Sequence, residues 1–116
     1  MHELAIAQSI ADAVTTRAIA CKASRVKNVR LKVGEASGVV TDSLAFCFEM
    51  LASFDPLLEG ARLVIDTVPH RARCRHCELE FAIADFVAQC PTCGEWSTEI
   101  VSGSELQILD MEIENP

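Results

Sequence analysis

The chain has 116 residues, half of them apolar, with 10 Lys and Arg against 17 Asp and Glu and a formal net charge of −7. That is one domain in size, with enough apolar material for a core. Such acidity disfavours binding to phosphate backbones, which takes clustered Lys and Arg. No apolar run reaches the roughly eighteen residues of a membrane span. The first residues lack the basic start and apolar centre of a secretory leader, so a reducing cytoplasm is expected.

From Leu4 the chain reads as a helix. Leu4, Ala7, Ala11, Val14, Ala18 and Cys21 follow the helical rhythm, with Ile6 and Ile10 broadening the face. Gly and Pro are absent up to position 33, so the helix can run to about Cys21. Val29, Leu31 and Val33 then alternate with Asn28, Arg30 and Lys32, a strand with one buried face that Gly34 ends. Thr41, Asp42 or Ser43 can cap a second helix with Leu44, Cys47, Phe48 and Leu51 on its apolar face. Phe46, Phe48 and Phe54 are expected to pack in the core. Cys21 and Cys47, placed within helical apolar patterns, are expected to be buried, inert thiols. Pro56 stops the helix. Arg62–Val68 is a second strand rich in β-branched residues, ended by Pro69. After Gly103 a last strand sets Leu106 and Ile108 on one face and Gln107, Leu109, Met111 and Ile113 on the other.

Between those last two strands lies the strongest signal. Cys74-Arg-His-Cys77 and Cys90-Pro-Thr-Cys93 are separated by twelve residues. Two such pairs suit a tetrahedral zinc with four thiolates. Each pair aims two thiolates at one point from one tight turn, and Phe81, Ile83, Phe86 and Val87 can form a hairpin between them. Four thiolates leave no open position, so this zinc is structural. His76 reads as an ordinary exposed side chain. Two disulfides or a thioredoxin-like redox pair are weaker readings of the same cysteines. The basic run His70, Arg71, Arg73 and Arg75 reads as a solvated turn or as charge balance for the thiolates.

The expected fold class is α+β. It has a small three-stranded mixed sheet with two helices and an inserted four-cysteine zinc-ribbon-like lobe. Residues 1–69, completed by 104–116, form one domain and 70–103 the zinc-binding domain. There is no nucleophile–base set and no phosphate-cradling glycine loop, so no enzyme is expected.

The N-terminus holds a second metal candidate. The α-amine of Met1 and the amide and imidazole nitrogens of His2 can chelate one ion in small rings that suit square-planar Ni(II) or Cu(II). Glu3 can add its amide or carboxylate. The plain alternative is an exposed histidine, with Glu3 as a favourable first-turn charge.

In several motifs the chain resembles the HypA/HybF family of hydrogenase maturation nickel metallochaperones. These are Met1-His2-Glu3, Gly34-Glu35, Ser43-Leu44-Ala45-Phe46-Cys47-Phe48-Glu49 and Glu59-Gly60-Ala61, then the cysteine pairs and Gly103-x-Glu105-Leu106-Gln107-Ile108. The resemblance implies weak Ni(II) binding at Met1, His2 and Glu3, making residues 1–69 the nickel-binding domain, and structural zinc at Cys74, Cys77, Cys90 and Cys93. It implies work with a HypB-type GTPase and delivery to the large subunit of [NiFe]-hydrogenase, with urease accessory proteins as a further partner class. A monomer or weak homodimer is expected, and acidity and hydropathy lead to no nucleic-acid or membrane partner. Many relatives carry an acidic residue near Val40; if it serves nickel, here Asp42 would have to take that place, or the role is absent. The alternative function is a zinc-ribbon adaptor that binds protein or nucleic acid without transferable metal.

Overall fold

The computed structural model describes residues 2–116. The chain divides into two compact units. The first takes in the chain to Lys32, Val39–Asp66 and Gln107–Pro116; the second takes in Val33–Gly38 and Thr67–Leu106.

In the first unit, helix α1 (Glu3–Ala20) buries Ala7, Ile10, Val14 and Ala18. Two of these four are alanines, which lets a neighbouring helix approach closely. That neighbour is α2 (Thr41–Ala52), which buries Leu44, Phe48 and Ala52. Burying a side chain such as Leu44 or Phe48 stabilises the fold by about 1.5–3 kcal/mol. Ile10, expected only to broaden the α1 face, is buried on it, whereas Leu4 is half exposed. No side chain of α2 caps its start; the N-cap residue is Val40.

Four side chains expected to be buried on the helices are not, for one reason. Phe46 and Phe54 are 69% and 82% exposed, Cys21 is exposed and Cys47 only partly buried. Each lies on the flank or just past the end of a helix whose buried stripe is narrow. A helix that buries one narrow stripe leaves its flanks and end to solvent.

Strand β1 (Arg25–Gly34) is the centre of a three-stranded sheet. It lies between β2 (Arg62–Val68) and the last strand, Leu106–Glu114. Val26, Val29, Leu31 and Val33 of β1 are buried. The connection from β1 to β2 runs through α2, as parallel neighbours require. The last strand runs the other way. Ser24 N donates to Glu114 O at 2.8 Å, Asn28 Nδ2 to Glu112 at 3.2 Å and Arg30 Nη2 to Asp110 at 2.6 Å, so partners descend as β1 ascends. The sheet is therefore mixed.

The second unit holds its own antiparallel sheet. Strand β3 (Arg71–Cys74) lies between β4 (Glu80–Ala82) and β5 (Thr98–Ser102); the last strand of the chain, Leu106–Glu114, is thus β6. Within the basic run Arg75 lies in the turn that follows Arg71–Cys74, which is itself a strand, not a turn. Its alternation sends Ala72 and Cys74 inward, while Arg71 pairs with Glu80 at 3.0 Å and Arg73 with Glu80 and Glu99 at 3.7 and 3.9 Å. Its arginines are thus engaged by cross-strand carboxylates. The predicted hairpin between the cysteine pairs is reduced to one bridge, Ala84 to Val87, around Asp85 and Phe86 at φ of 52° and 61°. Phe81 and Ile83 instead join Ala72, Cys74 and Cys90 in a small buried cluster. A core of that size does not hold a fold together alone, and units like it are stapled by metal or disulfide.

Gly34 begins the loop that belongs to this unit. Its N–H donates to Glu105 O at 2.7 Å, and Ala36 N donates to Gly103 O at 2.7 Å. Glu35 N donates to Val68 O at 2.8 Å, and Glu35 Oε1 accepts from His70 N at 3.4 Å.

Candidate metal centre

The four cysteines of the two pairs converge. The Sγ atoms of Cys74, Cys77, Cys90 and Cys93 all lie within 4.8 Å of one another. Cys74 Sγ is 3.5 Å from Cys93 Sγ, and Cys77 Sγ is 3.6 Å from Cys90 Sγ. A tetrahedron of thiolates around zinc at about 2.3 Å has edges of about 3.8 Å. The separations suit that ion and are far beyond the ~2 Å of a disulfide; all six cysteines are free.

The two halves of the site are built alike. Glu78 N donates to Cys74 O at 2.9 Å, and Gly94 N donates to Cys90 O at 2.9 Å. Cys74 N donates to Leu79 O and Cys90 N to Glu95 O, again at 2.9 Å in both. The amide of Leu79 also reaches the Cys77 sulfur, as that of Glu95 reaches the Cys93 sulfur. Each turn therefore needs its fifth residue in the left-handed region: Gly94 has φ of 74° and Glu78 has φ of 63°. Gly94 is at ease there and announced its turn in the sequence. Glu78 gave no such signal, because a glutamate at positive φ is unusual. In each half the first cysteine is buried and the second exposed.

The thiols titrate unequally. The amides of Cys93 and Thr92 hold the Cys90 thiol down at about 6. The Cys93 thiol is pushed up to about 12: the Glu95 amide pulls it down, but burial and the sulfurs of Cys74, Cys90 and Cys77 outweigh that pull. Cys77 also lies above its ordinary range, the Leu79 amide being outweighed by burial and the neighbouring sulfurs. Four sulfurs this close cannot all ionise without a cation between them. A low-pKa cysteine is also what a thiol oxidoreductase needs, but Cys90 is 1% exposed and out of reach of a protein disulfide. His76 is exposed and His70 buried, and the sulfur cluster contains neither.

At the other candidate site, Met1 lies outside the described residues. His2 is exposed at the N-cap of α1, where its carbonyl accepts from Ile6 N at 3.1 Å. Glu3 Oε2 accepts from Val40 N at 3.2 Å. That bond, then the amide of Glu3 itself, draws the Glu3 carboxyl below its ordinary range. One carboxylate thus ties the first turn of α1 to the start of α2. Sequence reasoning treated Val40 only as a missing acid; its contribution is a backbone N–H, which no side-chain pattern could reveal. Asp42 is exposed in the first turn of α2.

A two-helix, mixed-sheet protein carrying a separate four-cysteine centre suitable for zinc is the class that fold and site define. Residues 1–113 match the family model described as hydrogenase/urease nickel incorporation, metallochaperone, hypA. The chain is 43% identical over 114 residues to the hydrogenase maturation factor HypA of Geobacter metallireducens, covering 98% of this chain and 100% of that one. It is 44% identical over 117 residues to its counterpart in Streptomyces avermitilis, covering 99% and 88%. The solution structure of the Ni metallochaperone HypA from Helicobacter pylori shares the fold, with a TM-score of 0.68 at 21% identity over the full length of both chains. The chain belongs to the HypA family, whose members are maturation factors and metallochaperones and not enzymes.

Proposed function

We propose that this chain binds Ni(II) through Met1, His2 and Glu3 and passes it to the large subunit of [NiFe]-hydrogenase in the cytoplasm, working with a HypB-type GTPase. The observation that carries the reading is the Glu3–Val40 bond. It fixes the helix start while leaving His2 exposed. With its carboxylate engaged, Glu3 would offer nickel its amide nitrogen. A carrier must release its ion, and an exposed terminus with one imidazole serves that need. In this reading the first unit is the nickel-binding domain. The second is the zinc-binding domain, where Cys74, Cys77, Cys90 and Cys93 hold a structural zinc.

The test is calorimetric titration of nickel into untagged, zinc-loaded protein beside His2→Ala. About one nickel bound in the micromolar range, roughly −8 kcal/mol, and lost in the variant, supports the assignment. Equal binding, or none in either, overturns it and leaves a zinc-stabilised adaptor. Affinity should also fall with pH, as protons compete for imidazole and amide nitrogens. A flat profile would contradict these ligands.

A further inference from the structure

The outer face of α2 is apolar. Phe46, Met50 and Phe54 stand four apart in sequence and are all exposed. Phe54 lies just past the helix end, but its N–H donates to Leu51 O at 3.2 Å and carries the helical path one step further. The buried residues Leu44, Phe48 and Ala52 repeat at the same interval, displaced by two positions. That displacement is roughly 200° round a helix. The three exposed side chains therefore form one line on the side turned away from the core. Single exposed apolar residues are ordinary. A continuous line of two phenylalanines and a methionine, residue types enriched at interfaces, is not.

We infer that this line docks one amphipathic helix of another protein, apolar on the face it presents and bearing Lys or Arg on its flanks. Geometry selects a helix. A row of side chains along a helix offers ridges and grooves to another helix, whereas an extended segment needs unpaired backbone groups to bond with. The row spans about 12 Å, or about two turns of the partner. Charge selects the flanks. Helix α2 contains Asp42 and Glu49 and no Lys or Arg, and Asp55 follows Phe54. Among the described residues the one cation paired with these acids is Arg62, 3.9 Å from Glu49. The last turn of α2 has no basic residue either, so the negative end of the helix dipole is also uncompensated. The same charge disfavours a second copy, because α2 against α2 sets these acids against one another with no Lys or Arg on either helix. Phe46, Met50 and Phe54 are not among the residues assigned to nickel or zinc, so the surface stands apart from the metal sites.

The test titrates zinc-loaded, isotope-labelled protein with a synthetic helix of about 15 residues, Leu along one face and Lys on both flanks. A counterpart peptide carries Glu in place of every Lys. The Lys peptide should bind and shift the amides of residues 45–54. Phe46→Ser combined with Phe54→Ser should weaken it about tenfold or more, with unchanged circular dichroism and zinc content. If the double variant fails to fold, Met50→Lys makes the same test. The Glu peptide should bind the native protein about tenfold or more weakly than the Lys peptide. No binding of the Lys peptide overturns the proposal, as does binding that the folded variants leave unchanged or that shifts β6 instead of α2. Equal binding of both peptides overturns the charge assigned to the partner. Binding to neutral phosphatidylcholine vesicles, lost in the same variants, overturns it in favour of a lipid surface.

Discussion

Gly34 and Gly103 lie backbone against backbone in the second unit. A Cβ on Gly34 would overlap the Gly103 carbonyl and come within 2.6 Å of Glu105 N. A Cβ on Gly103, at φ of 117°, would come within 2.6 Å of the His70 Cα. Two motifs far apart in sequence, Gly34-Glu35 and Gly103-x-Glu105, are thus halves of one contact. Gly34→Ala should cost about 2–4 kcal/mol, since neither partner is a side chain that can move aside. Gly38→Ala, at φ of 80° with no neighbour within 4 Å, should cost only about 1 kcal/mol. Denaturant unfolding of both zinc-loaded variants measures the difference; equal costs would refute the close approach.

Glu78 holds the position that Gly94 holds in the other cysteine turn. Glu78→Gly should stabilise the zinc-loaded second unit by about 1 kcal/mol, by relieving the left-handed backbone. Gly94→Ala should destabilise it by a similar amount. Chelator-challenge or thermal unfolding of the pair reads both signs, and a loss of stability in Glu78→Gly would show that its side chain contributes more than its backbone costs.

Cys77 and Cys93 are held above their ordinary thiol range, so near neutrality both carry protons that zinc displaces. Binding should release about two protons or more per zinc. Calorimetry in buffers of different ionisation enthalpy counts them, and zero release would contradict a thiolate site. Stripping the metal should unfold the second unit while most helical signal remains; loss of all helix together would mean the units are not separable.

The Glu3 carboxyl is depressed by the Val40 N–H. A depressed folded value means the contact is complete above the ordinary carboxylate pKa of about 4.3 and is lost as pH falls through the lower folded value. The Val40 amide resonance should titrate with Glu3, below that ordinary value. In Glu3→Gln the Val40 shift should show no titration from position 3, while nickel binding persists through the amide. An invariant Val40 shift in the native chain would break the assignment.

The sequence by itself determined the helices, the strands of the main sheet and the pairing of cysteines into two turns. Those features are local: apolar residues at helical or alternating spacing, and thiols three apart on one turn. The terminal nitrogens offered a Ni(II) or Cu(II) chelate on their own chemistry, and resemblance narrowed that to nickel. Tertiary structure decided the rest. Whether Phe46, Phe54 or Cys21 is covered depends on what lies across from a helix flank, which periodicity within the helix does not contain. Whether Arg71–Cys74 is a turn or a strand depended on Glu80 and Glu99 arriving on either side of it. The grip of Glu3 on the Val40 N–H and the seat of Gly34 against Gly103 each turn on backbone atoms distant in sequence. Backbone N–H and C=O groups are the same in every residue, so no residue type marks where they meet.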